Sequence, residues 1–413
     1  NRRCSMSAGT DPRTDQGTDR EVAFFDLFDL AFQPDAPEVR AAREACWYAR
    51  TPLGYAVLRY DEVAALLRDR RLRQGGVESL AAQGITTGPV ADWMRMIILN
   101  IEGEQHARLR HLVSKAFTPR AVDALRPVMR TVTHELIDSF AARGACEFMA
   151  AFADPYSSRI ICELLGIPRE RYAQFHGWAN DLGLAFSYTV AEHLARIEAA
   201  LQGLSRCVDD LVAERRAAPG TDLVSALIAA EESGDQLSDA ELRVMVTALV
   251  FAGQDTTRNQ LGCALATFLE HPAQWARLAE APALAARAVE EVMRVRPSVP
   301  VIWRVAAEDF EFRGLRIAGG TFLSMFAAAA HTDPRVFGAA GFDISLERPA
   351  QLTFGGGIHY CLGASLARAE MEEALPILAA RLHTPELTGS MRWRPALGIY
   401  GPVAFSLRFR TAV

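Results

Sequence analysis

The chain has 413 residues, of which 50% are hydrophobic and 23% charged, a balance typical of a folded globular protein and unlike that of a disordered chain or a fibre. Its 44 basic and 50 acidic residues give a net charge of −6, which argues against a nucleic-acid-binding protein, because such proteins concentrate positive charge. No apolar run approaches the roughly 20 residues that a helix needs to span a bilayer, which argues against a membrane protein.

The ends and the cysteines indicate how the chain is organised. Residues 1–20 are polar, lack the apolar segment of a signal peptide and do not start with Met, so we expect an unstructured tail or residues added in cloning. Length alone favours two or three domains, but no linker or repeat divides the chain, which favours one domain over residues 21–413. Seven scattered cysteines without a CxxC pair fit neither a disulfide framework nor a zinc site and indicate a reducing compartment, the cytoplasm.

Helical periodicity dominates the predicted elements. Residues 121–143 carry apolar side chains at steps of three and four, and Ser238 with Glu241 forms a capping-box pattern at the start of a long helix. A further helix is predicted to end on Gly166. In chain order we predict a strand at 55–59, helices at 121–143, before Gly166, at 192–216, 223–232 and 238–264, then strands at Phe310–Phe312, Leu315–Ile317, 321–325 and 403–409, with a hairpin turn at Gly319-Gly320. The predicted fold class is mainly α with a small β-rich part.

The most informative segment is Phe354-Gly-Gly-Gly-Ile-His-Tyr-Cys361-Leu-Gly363-Ala, in which three glycines precede a cysteine at the start of a helix. Glycines allow positive φ or a close approach of the backbone, and the N–H groups of a helix start favour a thiolate, a ligand for a soft metal. An isolated cysteine would more often be a buried structural residue. The complete pattern resembles the haem-binding loop of the cytochrome P450 family. The resemblance implies the cytochrome P450 fold, Cys361 as the axial ligand of haem iron, and Phe354, Gly355 and Gly363 as haem-binding residues.

Other landmarks of this family occur in order along the chain. Glu291 and Arg294 resemble its ExxR pair, although Glu/Arg pairs at this spacing are usually surface pairs. The family's arginine after Phe342-Asp343 is replaced by Leu346, with Arg348 two positions later, so the pair is expected to be braced differently.

The segment Ala252-Gly253-Gln-Asp255-Thr256 resembles the family's oxygen-activation segment. The resemblance implies that Ala252 and Gly253 leave room for a ligand and that Asp255 and Thr256 relay protons as an acid–alcohol pair. The alternative for Thr256 is a hydroxyl satisfied by the carbonyl one turn earlier.

Four residues match positions that bind the haem propionates in the family: His106, Arg110, Arg304 and His359. Arginine recognises carboxylates with two hydrogen bonds, which suits this role. Each of the four, taken alone, is more often a solvated surface group.

The resemblance implies a monooxygenase that uses haem b and O2 to hydroxylate or epoxidise a small apolar organic substrate, free or carrier-bound, in bacterial secondary metabolism. Electrons would come from a ferredoxin and its NAD(P)H-dependent reductase, because the chain has no dinucleotide or flavin fingerprint. A docking surface is expected at Arg108, His111 and Arg368, with scattered surface charge as the alternative. By position in the family, the substrate pocket includes Met94, Met96, Phe186, Val299, Ile302 and Ile399.

Three alternatives remain at this point. An oxidase of the same fold could couple phenols, desaturate its substrate or use peroxide, although peroxide-using relatives tend to lose the acid–alcohol pair. A non-catalytic partner protein is disfavoured by the intact Cys361. A haem-based gas sensor is the third.

Overall fold

The computed structural model describes residues 22–187, 189–229, 237–339, 341–396 and 398–411, without the side chains of residues 115 and 116. The expected tail at residues 1–20 lies outside these ranges, as does the end of the helix predicted at 223–232. Within them, no helix combines the length and the apolar character needed to cross a membrane.

Helices make up most of the described structure. They are α1 (Pro37–Ala45), α2 (Tyr60–Leu66), α3 (Gly76–Ala82), α4 (Pro89–Met96), α5 (Gly103–Ala116), α6 (Pro119–Ala141), α7 (Asp154–Leu165), α8 (Tyr172–Gly183), α9 (Val190–Ala217), α10 (Leu223–Ala229), α11 (Asp239–Glu270), α12 (Pro272–Glu280), α13 (Ala285–Val295), α14 (Ala327–Ala330), α15 (Pro334–Phe337) and α16 (Ala364–Arg381). Single helical turns at Met149–Ala153, Arg169–Arg171, Leu184–Phe186, Pro282–Leu284 and Gly357–His359 connect or extend them.

Within the described ranges, three small sheets accompany the helices. The strands are β1 (Tyr48–Thr51), β2 (Gly54–Val57), β3 (Leu72–Arg73), β4 (Ala145–Glu147), β5 (Val301–Ala306), β6 (Phe310–Phe312), β7 (Leu315–Ile317), β8 (Phe322–Phe326), β9 (Leu382–Trp393) and β10 (Pro402–Thr411). The largest sheet has the order β1-β2-β8-β5-β3 and pairs β2 with β8 in parallel, while β4-β10-β9 and β6-β7 form the other two. The prediction of a mainly helical chain with a smaller β-rich part is confirmed.

Local sequence signals located the long helices well. Ser238 caps α11 with the complete capping box, and Gly166 ends α7 with φ 72°, both as predicted. The hairpin predicted at Gly319-Gly320 is wrong, because this turn joins β7 to β8, which lie in different sheets. The hairpin turn lies instead at Arg313-Gly314, where both residues have positive φ, as a two-residue turn between β6 and β7 requires.

The site is built around α11, the longest helix. Its buried residues lie on every side, because α7, α8, α9, α13 and α16 all pack against it. A helix with buried residues on every side is a core helix. The chain can therefore present α11 side chains to an internal cavity while the rest of the helix stays fixed.

Candidate active site

The cysteine loop has a defined backbone conformation that depends on its glycines. The Cys361 N–H donates to the Phe354 carbonyl at 2.9 Å, which closes the loop ahead of α16. Gly355 and Gly357 have φ of 72° and 67°, the left-handed region that favours glycine. A Cβ on Gly357 would lie 3.1 Å from the Leu67 carbonyl oxygen, so a side chain here would also be crowded.

Two opposing effects set the acidity of the Cys361 thiol, which faces a cavity. Burial raises its pKa, whereas the Gly363 N–H and the positive charges of Arg110 and Arg368 lower it. Three other cysteines are buried without this set of donors, and burial raises their pKa to about 12: Cys146, Cys162 and Cys263. Burial prevails, so the pKa of Cys361 lies above that of a free thiol, but the loop supplies an N–H donor and two positive charges that act against the effect of burial.

The cavity above Cys361 encloses about 460 Å³ and is lined mainly by apolar side chains. Its walls come from α4, α5, α11, β5, the turn Leu184–Phe186, the cysteine loop and the connection between β9 and β10. A concave, largely apolar site with a few polar groups is the usual form of a ligand pocket.

The four predicted propionate partners all line this cavity: His106, Arg110, Arg304 and His359. The two histidine rings are 4.5 Å apart between centroids. Burial lowers the pKa of Arg304 to about 10 and also lowers the pKa of Arg110 and of His106. The guanidinium of Arg304 donates to two neutral acceptors, the Gln74 side-chain oxygen at 3.0 Å and the Trp303 carbonyl at 2.9 Å. Buried cations around a cavity form a binding site for anionic groups.

Glu102, which no sequence motif indicates, belongs to this group. Its Oε1 lies 2.9 Å from His359 Nε2 and accepts the Gln74 N–H at 3.2 Å. Glu102 directly precedes α5, which carries His106 and Arg110. Only its place next to that helix could have indicated it.

Thr256 and Gly253 lie on the wall formed by α11. The Thr256 hydroxyl lines the cavity and donates to the Ala252 carbonyl one turn earlier at 2.8 Å. Gly253 was expected to leave room for a ligand. A Cβ there would lie 2.5 Å from Ile161 Cδ1, so this glycine is needed for packing against α7.

Asp255 does not face the cavity with Thr256. It is buried on another side of α11, where it accepts from Arg258 at 3.0 Å, from Arg394 at 3.1 Å and from Asn259 at 3.2 Å. Burial raises its pKa, and Arg258 opposes the rise. The predicted acid–alcohol pair is therefore adjacent in sequence, but its two side chains lie in different surroundings.

The Glu291–Arg294 pair is buried and doubly bonded, with both N···O distances 2.7 Å. Arg348 lies 3.5 Å from Glu291 and donates to the Gly341 carbonyl at 3.0 Å. It therefore makes the contact to Glu291 that Leu346, at the position of the family's arginine, cannot make. The pair lies outside the cavity lining and fixes the segment around residue 341 to α13.

Five of the six predicted pocket residues line the cavity: Met94, Phe186, Val299, Ile302 and Ile399. Met96 was predicted as the sixth, and this is wrong: it is 41% exposed and absent from the lining. The reason is geometric, since Met94 and Met96 are two residues apart on α4 and point in nearly opposite directions, about 160° apart around its axis.

Comparison with known proteins identifies the family. The cytochrome P450 family model matches residues 172–381. The chain is 44% identical to luteothin monooxygenase of Streptomyces thioluteus, over 95% of this chain and 97% of that one. The chain belongs to the cytochrome P450 family. It is also 34% identical to mycinamicin IV hydroxylase/epoxidase of Micromonospora griseorubida, over 86% of this chain and 90% of that one.

Solved structures agree with this assignment. P450BioI in complex with an acyl carrier protein carrying hexadec-9Z-enoic acid has a TM-score of 0.83 and 29% identity, over 90% of this chain and 98% of that chain. The predicted P450 fold is therefore confirmed. As a P450, the protein is an oxygen-incorporating oxidoreductase, a monooxygenase of bacterial secondary metabolism that uses haem b and O2.

The described residues fit haem b. The cavity has a cysteine with thiolate-favouring donors in one part and buried cations in another, as an iron porphyrin with two carboxylates requires.

Proposed function

We propose that this P450 hydroxylates or epoxidises a small apolar organic substrate, with electrons from a ferredoxin and its NAD(P)H-dependent reductase. The observation that carries the proposal is one cavity that joins the Cys361 thiol, the buried cations, the Thr256 hydroxyl and an apolar wall. The name of the mycinamicin relative, a hydroxylase/epoxidase, supports both reaction types.

Haem would be held by two sets of residues. Cys361 would bind the iron through its thiolate, with the Gly363 N–H stabilising that thiolate, while Phe354 and Gly355 belong to the same loop. The propionates would bind the four groups already described: His106, Arg110, Arg304 and His359. When bound, the haem supplies the binding and reductive activation of O2, which the thiolate promotes.

The protons that this chemistry consumes would enter along α11. The Thr256 hydroxyl holds a proton at the cavity wall, and its bond to the Ala252 carbonyl fixes its position. Asp255 would act behind this wall as the acid that resupplies Thr256. To do so it must release at least one of its ion-pair partners, because Arg258 and Arg394 both hold its carboxylate.

The partner proteins form a separate part of the proposal. The expected docking residues Arg108 and Arg368 are each paired, with Glu241 and with Glu290 respectively. A ferredoxin would therefore compete with these carboxylates at the surface rather than meet unpaired cations. The acyl-carrier complex of P450BioI supports a carrier-bound substrate as an alternative to a free one. The cytoplasm, where ferredoxins are reduced, is the proposed compartment.

The test combines a spectrum with a labelling experiment. In the reduced, carbon-monoxide-bound protein we expect a strongly red-shifted Soret band that Cys361→Ser abolishes. Cys207→Ser, which changes a cysteine outside the cavity lining, should leave the band unchanged. With surrogate ferredoxin and reductase, ¹⁸O from labelled O2 should appear in the product.

A band typical of histidine-ligated haem in the wild type would contradict the proposal. A product without added oxygen would instead favour desaturation or coupling.

A further inference from the structure

Three aromatic rings from different elements meet on one wall of the cavity. Trp93 lies on α4, Phe186 in the turn between α8 and α9, and Phe251 on α11. Phe186 and Phe251 stack with centroids 4.6 Å apart and planes at 5°, and Trp93 meets Phe186 edge-on at 6.1 Å.

Two of the three rings are fixed by α11. The Trp93 Nε1–H donates to the Thr247 hydroxyl at 3.2 Å, which satisfies the indole's polar edge within the protein. Thr247 and Phe251 are four residues apart and therefore share a face of α11. Gly183 gives Phe251 its space, since a Cβ there would lie 3.2 Å from the ring.

Phe186 is the ring that remains available to a ligand. Trp93 and Phe251 are 4% and 6% exposed, whereas Phe186 is only partly buried. Val299, Ile302 and Ile399, which come from β5 and its neighbours, are aliphatic. Trp303 of β5 also lines the cavity, but its ring packs edge-on against Phe322 and is not part of the three-ring cluster. The three contacting rings thus form an aromatic wall, and Val299, Ile302 and Ile399 form an aliphatic one.

We infer that the wall formed by Trp93, Phe186 and Phe251 determines specificity by binding a flat aromatic or conjugated portion of the substrate against Phe186. The inference rests on the proposed function and names its substrate class. Aromatic rings attract one another in stacked and edge-on arrangements beyond what their buried area provides, and a saturated ring of the same size lacks this term. Because the wall is already assembled, binding a planar group there costs little ordering of the protein.

The test uses matched probes on the haem-loaded protein. Imidazoles linked through alkyl chains of increasing length to a terminal phenyl or cyclohexyl group bind haem iron through the imidazole, and the absorption shift gives Kd. At the linker length that reaches the wall, the phenyl probe should bind about two- to tenfold more tightly than the cyclohexyl probe. Phe186→Leu should remove this preference, whereas Ile399→Leu on the aliphatic wall should retain it.

The outcomes separate this inference from the proposed function. Equal Kd values in the wild type at every linker length, or a preference that survives in Phe186→Leu, would overturn the aromatic site. No absorption shift with either probe would instead contradict the haem site on which the proposed function depends. The wild-type comparison needs no variant, so misfolding of Phe186→Leu would not leave the inference untested.

Discussion

The buried environment of His331 predicts that the protein loses stability in acid. It follows α14 and is completely buried, with its Nδ1 3.1 Å from the Arg294 carbonyl and its Nε2 accepting the Leu352 N–H at 2.7 Å. A neutral ring satisfies both bonds, since Nδ1–H donates and Nε2 accepts. A charged ring would lose the bond to Leu352 and would lie buried beside the Arg294 guanidinium.

The direction and size of this pH effect on the free energy of unfolding follow from the burial of His331. Burial lowers the pKa of His331 from 6.5 to about 3, so the unfolded chain takes up a proton at higher pH than the folded one. The stability from this residue is complete above pH 6.5 and is lost as pH falls towards 3. The loss is about 1.4 kcal/mol per pH unit, or about 2 kcal/mol near a pH of about 5.

Thermal unfolding of wild type and His331→Gln checks this. Glutamine can donate and accept but does not titrate, so the gap in Tm at a pH of about 8 measures the structural cost of the change alone. At a pH of about 5 the gap should narrow by about 2 °C for a chain of 413 residues, because wild type alone loses the His331 contribution. If the gap were the same at both pH values, the reasoning would be refuted.

Three further predictions concern other parts of the site. Thr256→Ala should lower the amount of product formed per NAD(P)H consumed by about tenfold or more and release peroxide instead, because the cavity loses its positioned hydroxyl. Thr256→Ser should restore this coupling. Unchanged coupling in the alanine variant would contradict the role of Thr256 in proton delivery. Glu291→Gln should lower the free energy of unfolding, measured in urea, by about 3–5 kcal/mol, because it leaves the buried Arg294 without its carboxylate partner. The matched control is Glu386→Gln in an exposed ion pair, which should lower it by less than about 1 kcal/mol. The side-chain oxygen of Gln83 accepts the N–H of Val190, the first residue of α9, at 3.0 Å. Gln83→Leu should therefore speed amide hydrogen exchange at the start of α9 and leave the middle of α11 protected. The same exchange rate at the start of α9 in wild type and variant would exclude this role of Gln83.

Local signals explain which parts of the fold could be predicted. The long helices were found because periodic apolar residues, a capping box and a C-cap glycine are all contiguous signals. Strands β3 and β4 have two and three residues and pair with partners more than 200 residues away, so no local pattern marks them. Gly319-Gly320 has the composition of a hairpin turn, but pairing between distant strands decides which sheet each neighbour joins.

In the site too, features set by contiguous residues could be predicted, whereas contacts between distant residues could not. The cysteine loop was predictable because its motif is continuous in sequence and because the positive φ angles that require its glycines occur within the loop itself. The environment of Asp255 depends on Arg394, a residue 139 positions later, and no pattern near Asp255 indicates that partner. Glu102 was missed for a similar reason, since its partner His359 is 257 positions away.

The position of Asp255 also limits how an acid and an alcohol on α11 can cooperate. Consecutive helical residues point about 100° apart, so when Thr256 lines the cavity Asp255 must face the protein beside it. There a carboxylate needs counter-charges, which Arg258 and Arg394 supply. Arg394 directly follows β9 and its N–H donates to the Gly401 carbonyl at 3.0 Å, at the base of the connection whose Ile399 lines the substrate cavity. One of the two counter-ions of Asp255 is therefore carried by the segment that also forms part of the substrate wall, while the other, Arg258, comes from α11 itself.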